Sequence, residues 1–391
     1  MKKVLFVMYA LNNGGAERSL VNLLTEIDSN KYEIDLLLFA KEGMFLSQVP
    51  NYVNIVQGPE VLEKLYTQKK SDGNVAIKLY KYVVTALSHI CEKGLQAQNA
   101  FRWIKFYSKI TPKLQKKYDL AIAYISRDIM YYVDEKVNAI KKMVFVHNDY
   151  RAAQHPKKYD KEYFKRMDAL ITISDTCTEV LKEEFPDLGS KIYNLPNIVS
   201  SSAIRKRALE KKADEFSGYD GVKIVSVGRL NVQKGFDLAI DAAVLLKKRG
   251  LKFKWLIVGN GELMSELNNQ IEKNQVENEI VLIGARENPY IYMSSADIVA
   301  QTSRWEGKSV VLDEAKIIGT PIVTTNYPTA KDQIVEEKEG VVVDITAKAI
   351  ADGIERLAHD SILKEDIHKY LMNHEYGNVE EMKKYYTVFD S

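Results

Sequence analysis

Cysteine is nearly absent: only Cys91 and Cys177 occur in 391 residues. Two are too few for a disulfide framework and lack the paired spacing of a zinc site, which fits a reducing compartment. Long apolar runs are missing too. Nothing approaches the roughly 18 residues that a spanning helix needs, so the expectation is a soluble or peripherally attached protein. The opening, Met1-Lys2-Lys3 followed by Val4 to Leu11, is too short for a secretory leader and has no small-residue cleavage site. With Asn12-Asn13-Gly14-Gly15 behind it, it reads as a buried strand and its turn. There is no low-complexity segment and no short-period repeat. Charge of one sign is scarce overall, with 55 basic and 53 acidic residues, and a content of 46% hydrophobic and 28% charged residues excludes disorder.

A chain of 391 residues exceeds the size at which one core keeps growing, so two domains are expected. Short apolar runs at Val4 to Tyr9, Glu33 to Phe39, Leu120 to Tyr124, Lys142 to His147 and Ala169 to Ser174 alternate with helical periodicity, beginning with Ala16 to Ile27. The same alternation resumes at Val222, with strands predicted at Lys223 to Val227, Lys254 to Val258, Ile280 to Ile283, Ile298 to Gln301, Pro321 to Thr324 and Gly340 to Val343. Helices are predicted at Phe236 to Arg249, Leu263 to Asn274 and Ser309 to Ile318. This pattern predicts an α/β protein of two Rossmann-like, doubly wound domains facing a central cleft lined by strand carboxyl ends. The polar, charged stretch 201–221 reads as a linker between domains 1–200 and 222–374. Residues 375–391 are expected to return to the first domain.

Three motifs carry chemistry. Glu306-Gly307-Lys308-Ser309-Val310-Val311-Leu312-Asp313-Glu314 puts two carboxylates around a predicted helix start. Free amides there favour a phosphate, and carboxylates accept hydrogen bonds from sugar or ribose hydroxyls. On spacing alone, Glu306 is equally a solvated loop residue and Glu314 an exposed helix charge. Gly228-Arg229-Leu230, with Gln233-Lys234-Gly235, aims two cations at one strand-to-helix turn, where they can neutralise a diphosphate leaving group. Gly259-Asn260-Gly261 is a third such turn and weak by itself. His147 ends a strand-like run, so it would project from a carboxyl end into the cleft.

These residues, in order with Gly14-Gly15-Ala16-Glu17, Ile173-Ser174, Asn197 and Ala296-Asp297, resemble the retaining glycosyltransferases of family 4, with their two-Rossmann-domain GT-B architecture. The resemblance covers nearly the whole chain. It implies that Arg229 and Lys234 hold the donor diphosphate, Glu314 the ribose and Glu306 the transferred sugar, with Gly228, Gly259, Gly261 and the backbone around Gly307, Lys308, Ser309 and Val310 assisting. It also implies that Gly14 and Gly15 approach donor and acceptor and that His147 lies beside the reacting sugar. Lys308 stands where many members carry Phe, a variant that resembles bacterial surface-polysaccharide transferases, and 326–329 lack the usual glycine pair.

The expected partners are a nucleotide-sugar donor and a saccharide or lipid-linked acceptor. No nucleic-acid motif occurs, so no nucleic-acid partner is expected. No Asp-x-Asp motif occurs in the right place, so neither a cofactor nor an essential metal is expected. Between residues 64 and 117 the chain has twelve basic residues against Asp72 and Glu92. Tyr66, Tyr80, Tyr82, Phe101, Trp103, Phe106 and Tyr107 lie among them, a mixture suited to an anionic lipid surface. The expected location is cytoplasmic, peripheral on the inner face of the plasma membrane. A nucleotide-sugar epimerase and a catalytically inactive partner are the rival readings.

Overall fold

A computed structural model describes residues 1–12, 14–66, 75–306 and 309–391. The chain divides into two compact units, Met1–Val199 with Asn378–Ser391, and Ser200–Gly377. In the first unit the strands are β1 Lys2–Met8, β2 Tyr32–Leu38, β3 Asn54–Val56, β4 Lys117–Ala123, β5 Asn138–Val146, β6 Ala169–Thr172 and β7 Ile192–Asn194. They form one parallel sheet in the order β3-β2-β1-β4-β5-β6-β7. Val4 to Met8 are all buried, as a parallel strand covered on both faces requires. β3 and β7, three residues each at the sheet edges, are too short to register as apolar runs.

The second unit holds β8 Val222–Val227, β9 Phe253–Val258, β10 Ile280–Gly284, β11 Ile298–Gln301, β12 Ile322–Thr325 and β13 Gly340–Val343, parallel in the order β10-β9-β8-β11-β12-β13. Both sheets therefore run in the Rossmann order, reversing direction beside β1 in one and β8 in the other. Ligands of such sheets bind outside the strand carboxyl ends at that reversal.

The stretch 201–221 is not a bare linker. Ser201–Ala208 is a helix capped by the Ser200 hydroxyl, with Ile204 and Ala208 buried. Arg205 Nε donates to the Ile317 carbonyl at 3.0 Å, so the segment belongs to the second unit. The run of cations around 205–207 hides this i, i+4 apolar pair in the sequence.

The aromatic residues of 64–117 are mostly not interfacial. Trp103 and Tyr107 are buried in the first core, and the Tyr66 hydroxyl donates to Asp128 Oδ2 at 2.6 Å. Lys69, Lys70 and Asp72 lie outside the described residues. What the fold leaves outside is one side of the helix Val75–Cys91: Val75, Leu79, Tyr82, Val83 and Ile90 are 76%, 61%, 74%, 46% and 81% exposed. At about 100° per residue these positions share one face, opposite the buried Val84. No helix of the described residues is long and apolar enough to cross a membrane.

The C-terminal helix Met382–Asp390 packs Met382, Tyr385, Val388 and Phe389 into the first unit. Tyr385 is fully buried, and its hydroxyl donates to the Pro196 carbonyl at 2.9 Å. Tyr385→Ala should cost about 3 to 5 kcal/mol, the range for removing a buried aromatic ring. Urea unfolding followed by tyrosine and tryptophan fluorescence should show an earlier transition for the first unit, and an unshifted transition would contradict this packing role.

Candidate functional site

In the second unit the loops after β8 and β11 are neighbours because their strands pair at the reversal. The β8 loop opens with Gly228 and Arg229, passes through a short turn Val232–Lys234, and enters the helix Phe236–Lys248 at Gly235. Gly235 has φ 62° and ψ 34°, a left-handed conformation, and a Cβ there would lie 2.2 Å from the Thr302 carbonyl oxygen. Glycine is required on both counts. The Thr302 hydroxyl donates to the Lys234 carbonyl at 2.9 Å, and the Arg304 amide to the Gln233 carbonyl at 2.7 Å. The two loops are thus laced together by one backbone–backbone bond and one hydroxyl–carbonyl bond.

That lacing sets Lys234 against Glu306. Lys234 Nζ lies 2.6 Å from Glu306 Oε1, with the two side chains only 16% and 8% exposed. Ser303 Oγ donates to the same oxygen at 2.7 Å and Gln233 Nε2 to Oε2 at 3.1 Å. A buried carboxylate needs such donors to offset its desolvation. Arg229 is different: its side chain is 72% exposed and its Nε is 3.4 Å from Glu262 Oε2. An exposed pair of that length contributes little, so the guanidinium is available to an anion.

The helix Val310–Ile318 starts at Ser309, as the spacing predicts. The Ser309 amide, one of the backbone groups expected to assist a phosphate, donates instead to Gln333 Oε1 at 2.9 Å, and its hydroxyl donates to Gln301 Oε1 at 2.6 Å. Val310, by contrast, is exposed. Gly307 and Lys308 lie outside the described residues. Glu314 is buried rather than an exposed helix charge, and its Oε1 accepts from the Tyr290 hydroxyl at 3.0 Å. The Arg207 guanidinium lies 5.2 Å above the Tyr290 ring. Gly259 and Gly261 bring the β9 loop against the β8 loop: the Leu230 amide donates to the Asn260 carbonyl at 3.0 Å.

In the first unit Gly14 caps the helix Gly15–Glu26, with the Glu17 side chain folded back over it. Burial raises the pKa of Glu17. His147 follows β5, and its Nε2 lies 2.8 Å from the Tyr124 carbonyl. A carbonyl only accepts, so Nε2 carries the proton and Nδ1 is a lone pair. Nδ1 is buried and has no hydrogen-bond partner among the described residues. The ring stacks on Phe145 at 5.5 Å. Burial holds its pKa down to about 4, so the imidazole is neutral near pH 7 and offers one acceptor. Among the described residues no group of three or more His, Cys, Asp or Glu could hold a metal ion.

Residues 209–374 match the family model for glycosyl transferases group 1. Over 373 residues, 93% of this chain and 92% of the relative, the chain is 26% identical to the N-acetylgalactosamine-N,N'-diacetylbacillosaminyl-diphospho-undecaprenol 4-alpha-N-acetylgalactosaminyltransferase of Campylobacter jejuni. Over 122 residues, 31% of this chain and 34% of the relative, it is 34% identical to the amylovoran biosynthesis glycosyltransferase AmsD of Erwinia amylovora. The crystal structure of Anabaena HepE with UDP and glucose matches all of both chains with a TM-score of 0.68 at 14% identity. WaaG, a glycosyltransferase of lipopolysaccharide biosynthesis, matches with a TM-score of 0.58 at 14% identity over 98% of this chain and 99% of its own. The chain is a glycosyltransferase. Its fold is GT-B.

Within the second unit of this glycosyltransferase the fold places Gly228, Lys234 and Glu306 together at the β8/β11 reversal, with Arg229 on the same loop. Gly14, Gly15 and His147 belong to the first unit. Ser303, Gln301, Gln333 and Tyr290 carry hydrogen bonds of the site that no sequence signal marked, because neutral polar residues have no periodicity of their own.

The buried imidazole has a pH consequence. Its folded pKa lies below the unfolded value of about 6.5, so its stability contribution is complete above that pH and is lost as pH falls towards 4. His155 works in the same direction, held near about 4 by burial, while Asp160, raised to about 6 by burial, works oppositely on acidification. His147→Gln should therefore shrink, without abolishing, the Tm difference between about pH 7 and pH 5. An unchanged difference would show that His147 is not buried neutral.

Proposed function

We propose that this glycosyltransferase moves a sugar, with retention of configuration, from a nucleotide-diphosphate-sugar to a saccharide or lipid-linked acceptor in bacterial capsular, exopolysaccharide or other cell-surface glycan biosynthesis. The observation that carries the reading is the buried Lys234–Glu306 pair at the β8/β11 reversal, on the same loop as the exposed Arg229. Lys234 and Arg229 take the donor diphosphate, and its arrival loosens Lys234 from Glu306, whose carboxylate then accepts from hydroxyls of the transferred sugar. The anomeric carbon–oxygen bond to the diphosphate breaks, the acceptor oxygen bonds to that carbon from the same face, and the acceptor proton passes to the departing phosphate oxygen. Retention rests on the resemblance to family 4. His147 Nδ1 accepts from a sugar hydroxyl, and Glu314, backed by Tyr290, holds the ribose. With two cations on the leaving group, the reaction proceeds without a metal.

Several observations support this reading. Anabaena HepE is described with UDP and with UDP-glucose, and the Campylobacter relative is named for an acceptor joined to diphospho-undecaprenol. Lys234→Ala and Glu314→Gln should each lower turnover more than tenfold, about 1.4 kcal/mol or more of transition-state stabilisation, with unchanged circular dichroism and in buffer containing EDTA. Glutamine is chosen because Glu314 is buried and an alanine would leave a cavity. Wild-type turnover by either variant would refute the site, and loss of wild-type activity in EDTA restored by manganese would refute metal independence.

The exposed apolar face of Val75–Cys91 seats the enzyme on the anionic cytoplasmic leaflet, close to a lipid-linked acceptor. Lys78 lies on this helix and Lys93, Lys105 and Lys109 lie nearby in sequence, all exposed, supplying the attraction that such amphipathic helices combine with apolar burial. Co-sedimentation with phosphatidylglycerol vesicles should be weakened by salt and abolished by Leu79→Glu with Ile90→Glu. Binding indifferent to that double change would exclude this face.

A further inference from the structure

At the β1/β4 reversal of the first unit stands an arginine that no part of the proposed mechanism uses. Arg127 follows β4 and has φ 83° and ψ −148°, a region that essentially only glycine occupies without strain. Its Nε is buried without a hydrogen-bond partner, and among the described residues its side chain makes no ion pair. A strained backbone and an unpaired guanidinium at one position, beside the carboxyl end of the sheet, call for a compensating role.

The obvious local partners are already engaged. Asp128, the next residue, accepts from Tyr9 and, at 2.6 Å, from Tyr66. Asp160, fully buried, accepts from Tyr131 at 2.5 Å and Tyr150 at 2.7 Å. Both carboxylates thus receive neutral phenols instead of the cation. The charge of Arg127 reaches its surroundings nonetheless, adding to burial in lowering the pKa of His155 and opposing burial at Asp160. His155 is held neutral, its Nε2 3.0 Å from Asn148 Oδ1. β4 pairs directly with β5, so Arg127 and His147 rise from adjacent strands at the same sheet edge.

We propose that Arg127 binds a phosphate group of the acceptor, which makes the acceptor a phosphate-bearing molecule. This rests on the transfer reading above and adds the acceptor's chemical class. The donor diphosphate has Arg229 and Lys234 in the second unit; the guanidinium of the first unit serves a different anion. Its planar fork suits two phosphate oxygens at once, and the site accepts the strain because no residue with a free φ offers that fork.

The test is calorimetry on the full chain, independent of turnover. UDP, GDP and ADP are first screened, and the nucleotide that binds is held saturating to occupy the donor site. The enzyme is then titrated with farnesyl diphosphate and with farnesol. The wild type should bind the diphosphate at least tenfold more tightly than the alcohol. Arg127→Gly should lose that preference, Arg127→Lys should keep part of it, and nucleotide affinity should be the same in all three. Arg127→Gly should also melt at or above the wild-type Tm, because glycine relieves the backbone. Equal affinity for diphosphate and alcohol in the wild type, an undiminished preference in Arg127→Gly, a parallel fall in nucleotide affinity, or a lower Tm for Arg127→Gly would each overturn the proposal. The last of these would show that Arg127 serves the buried carboxylates instead. Failure of the transfer reading would appear separately, as a wild type that binds none of the nucleotides.

Discussion

The carbonyl oxygen of Gly228 would sit 1.8 Å from a Cβ placed on Gly259, a separation that no side chain tolerates. Two loops after neighbouring parallel strands can meet this closely only where one of them is bare backbone, and the remainder of the second-unit site is hung on that approach. Because the β9 loop lies flat on the β8 loop, the Leu230 amide reaches the Asn260 carbonyl and the Leu263 amide reaches the Leu230 carbonyl. The β8 loop is then held from one side by β9 and from the other by the Thr302 and Arg304 contacts. The backbone at Lys234 is thereby fixed, and its ammonium meets Glu306.

Burying that pair is expensive unless both ions are saturated with donors and acceptors. Glu306 meets the requirement with Lys234, Ser303 and Gln233. A lysine more deeply buried in the same unit, Lys316, is treated alike: its Nζ donates to the Gln333 carbonyl at 2.8 Å, with Asp313 and Glu339 within 3.8 Å and the Tyr376 ring 4.8 Å away. Gln333 thereby ties the start of the helix Val310–Ile318, through the Ser309 amide, to its interior. At this helix start the Ser309 amide is therefore held from within the protein, while Val310 is exposed.

Much of this could be read from residue order alone, for a physical reason. Parallel strands buried on both faces are continuous apolar runs, and turns at their carboxyl ends need glycine, so β8, β9, β11, β13 and their loops announce themselves within a residue or two. The two edge strands β3 and β7 do not, being three residues long. The helix Ser201–Ala208 is hidden because its buried apolar positions, Ile204 and Ala208, flank the cationic run Arg205-Lys206-Arg207, of which only Lys206 is fully exposed. The burial of Trp103 and Tyr107 was equally illegible: an aromatic among lysines suits a lipid surface or a core, and only tertiary packing decides. At Ser309 a helix-start amide was predicted to face a ligand, and a glutamine 24 residues away took it. The left-handed φ of Arg127 leaves no trace in sequence, since arginine at that position is what the local rules would avoid.

The same strand order produces two sites of opposite electrostatic character. At the β8/β11 reversal charges are paired and largely buried, Lys234 against Glu306. At the β1/β4 reversal the buried groups are neutral or phenol-bound: His147 is uncharged, His155 is uncharged, and Asp128 and Asp160 are wrapped by four tyrosines. With Asp128 and Asp160 taking their hydrogen bonds from phenols, the Arg127 guanidinium acts on Asp160 and His155 through its charge alone, without a hydrogen bond to either. On the proposed reading a donor phosphate competes with Glu306 for Lys234, which suits a ligand that is released after each turnover. A group held open at the cost of backbone strain suits one that must be found without help from a neighbouring charge.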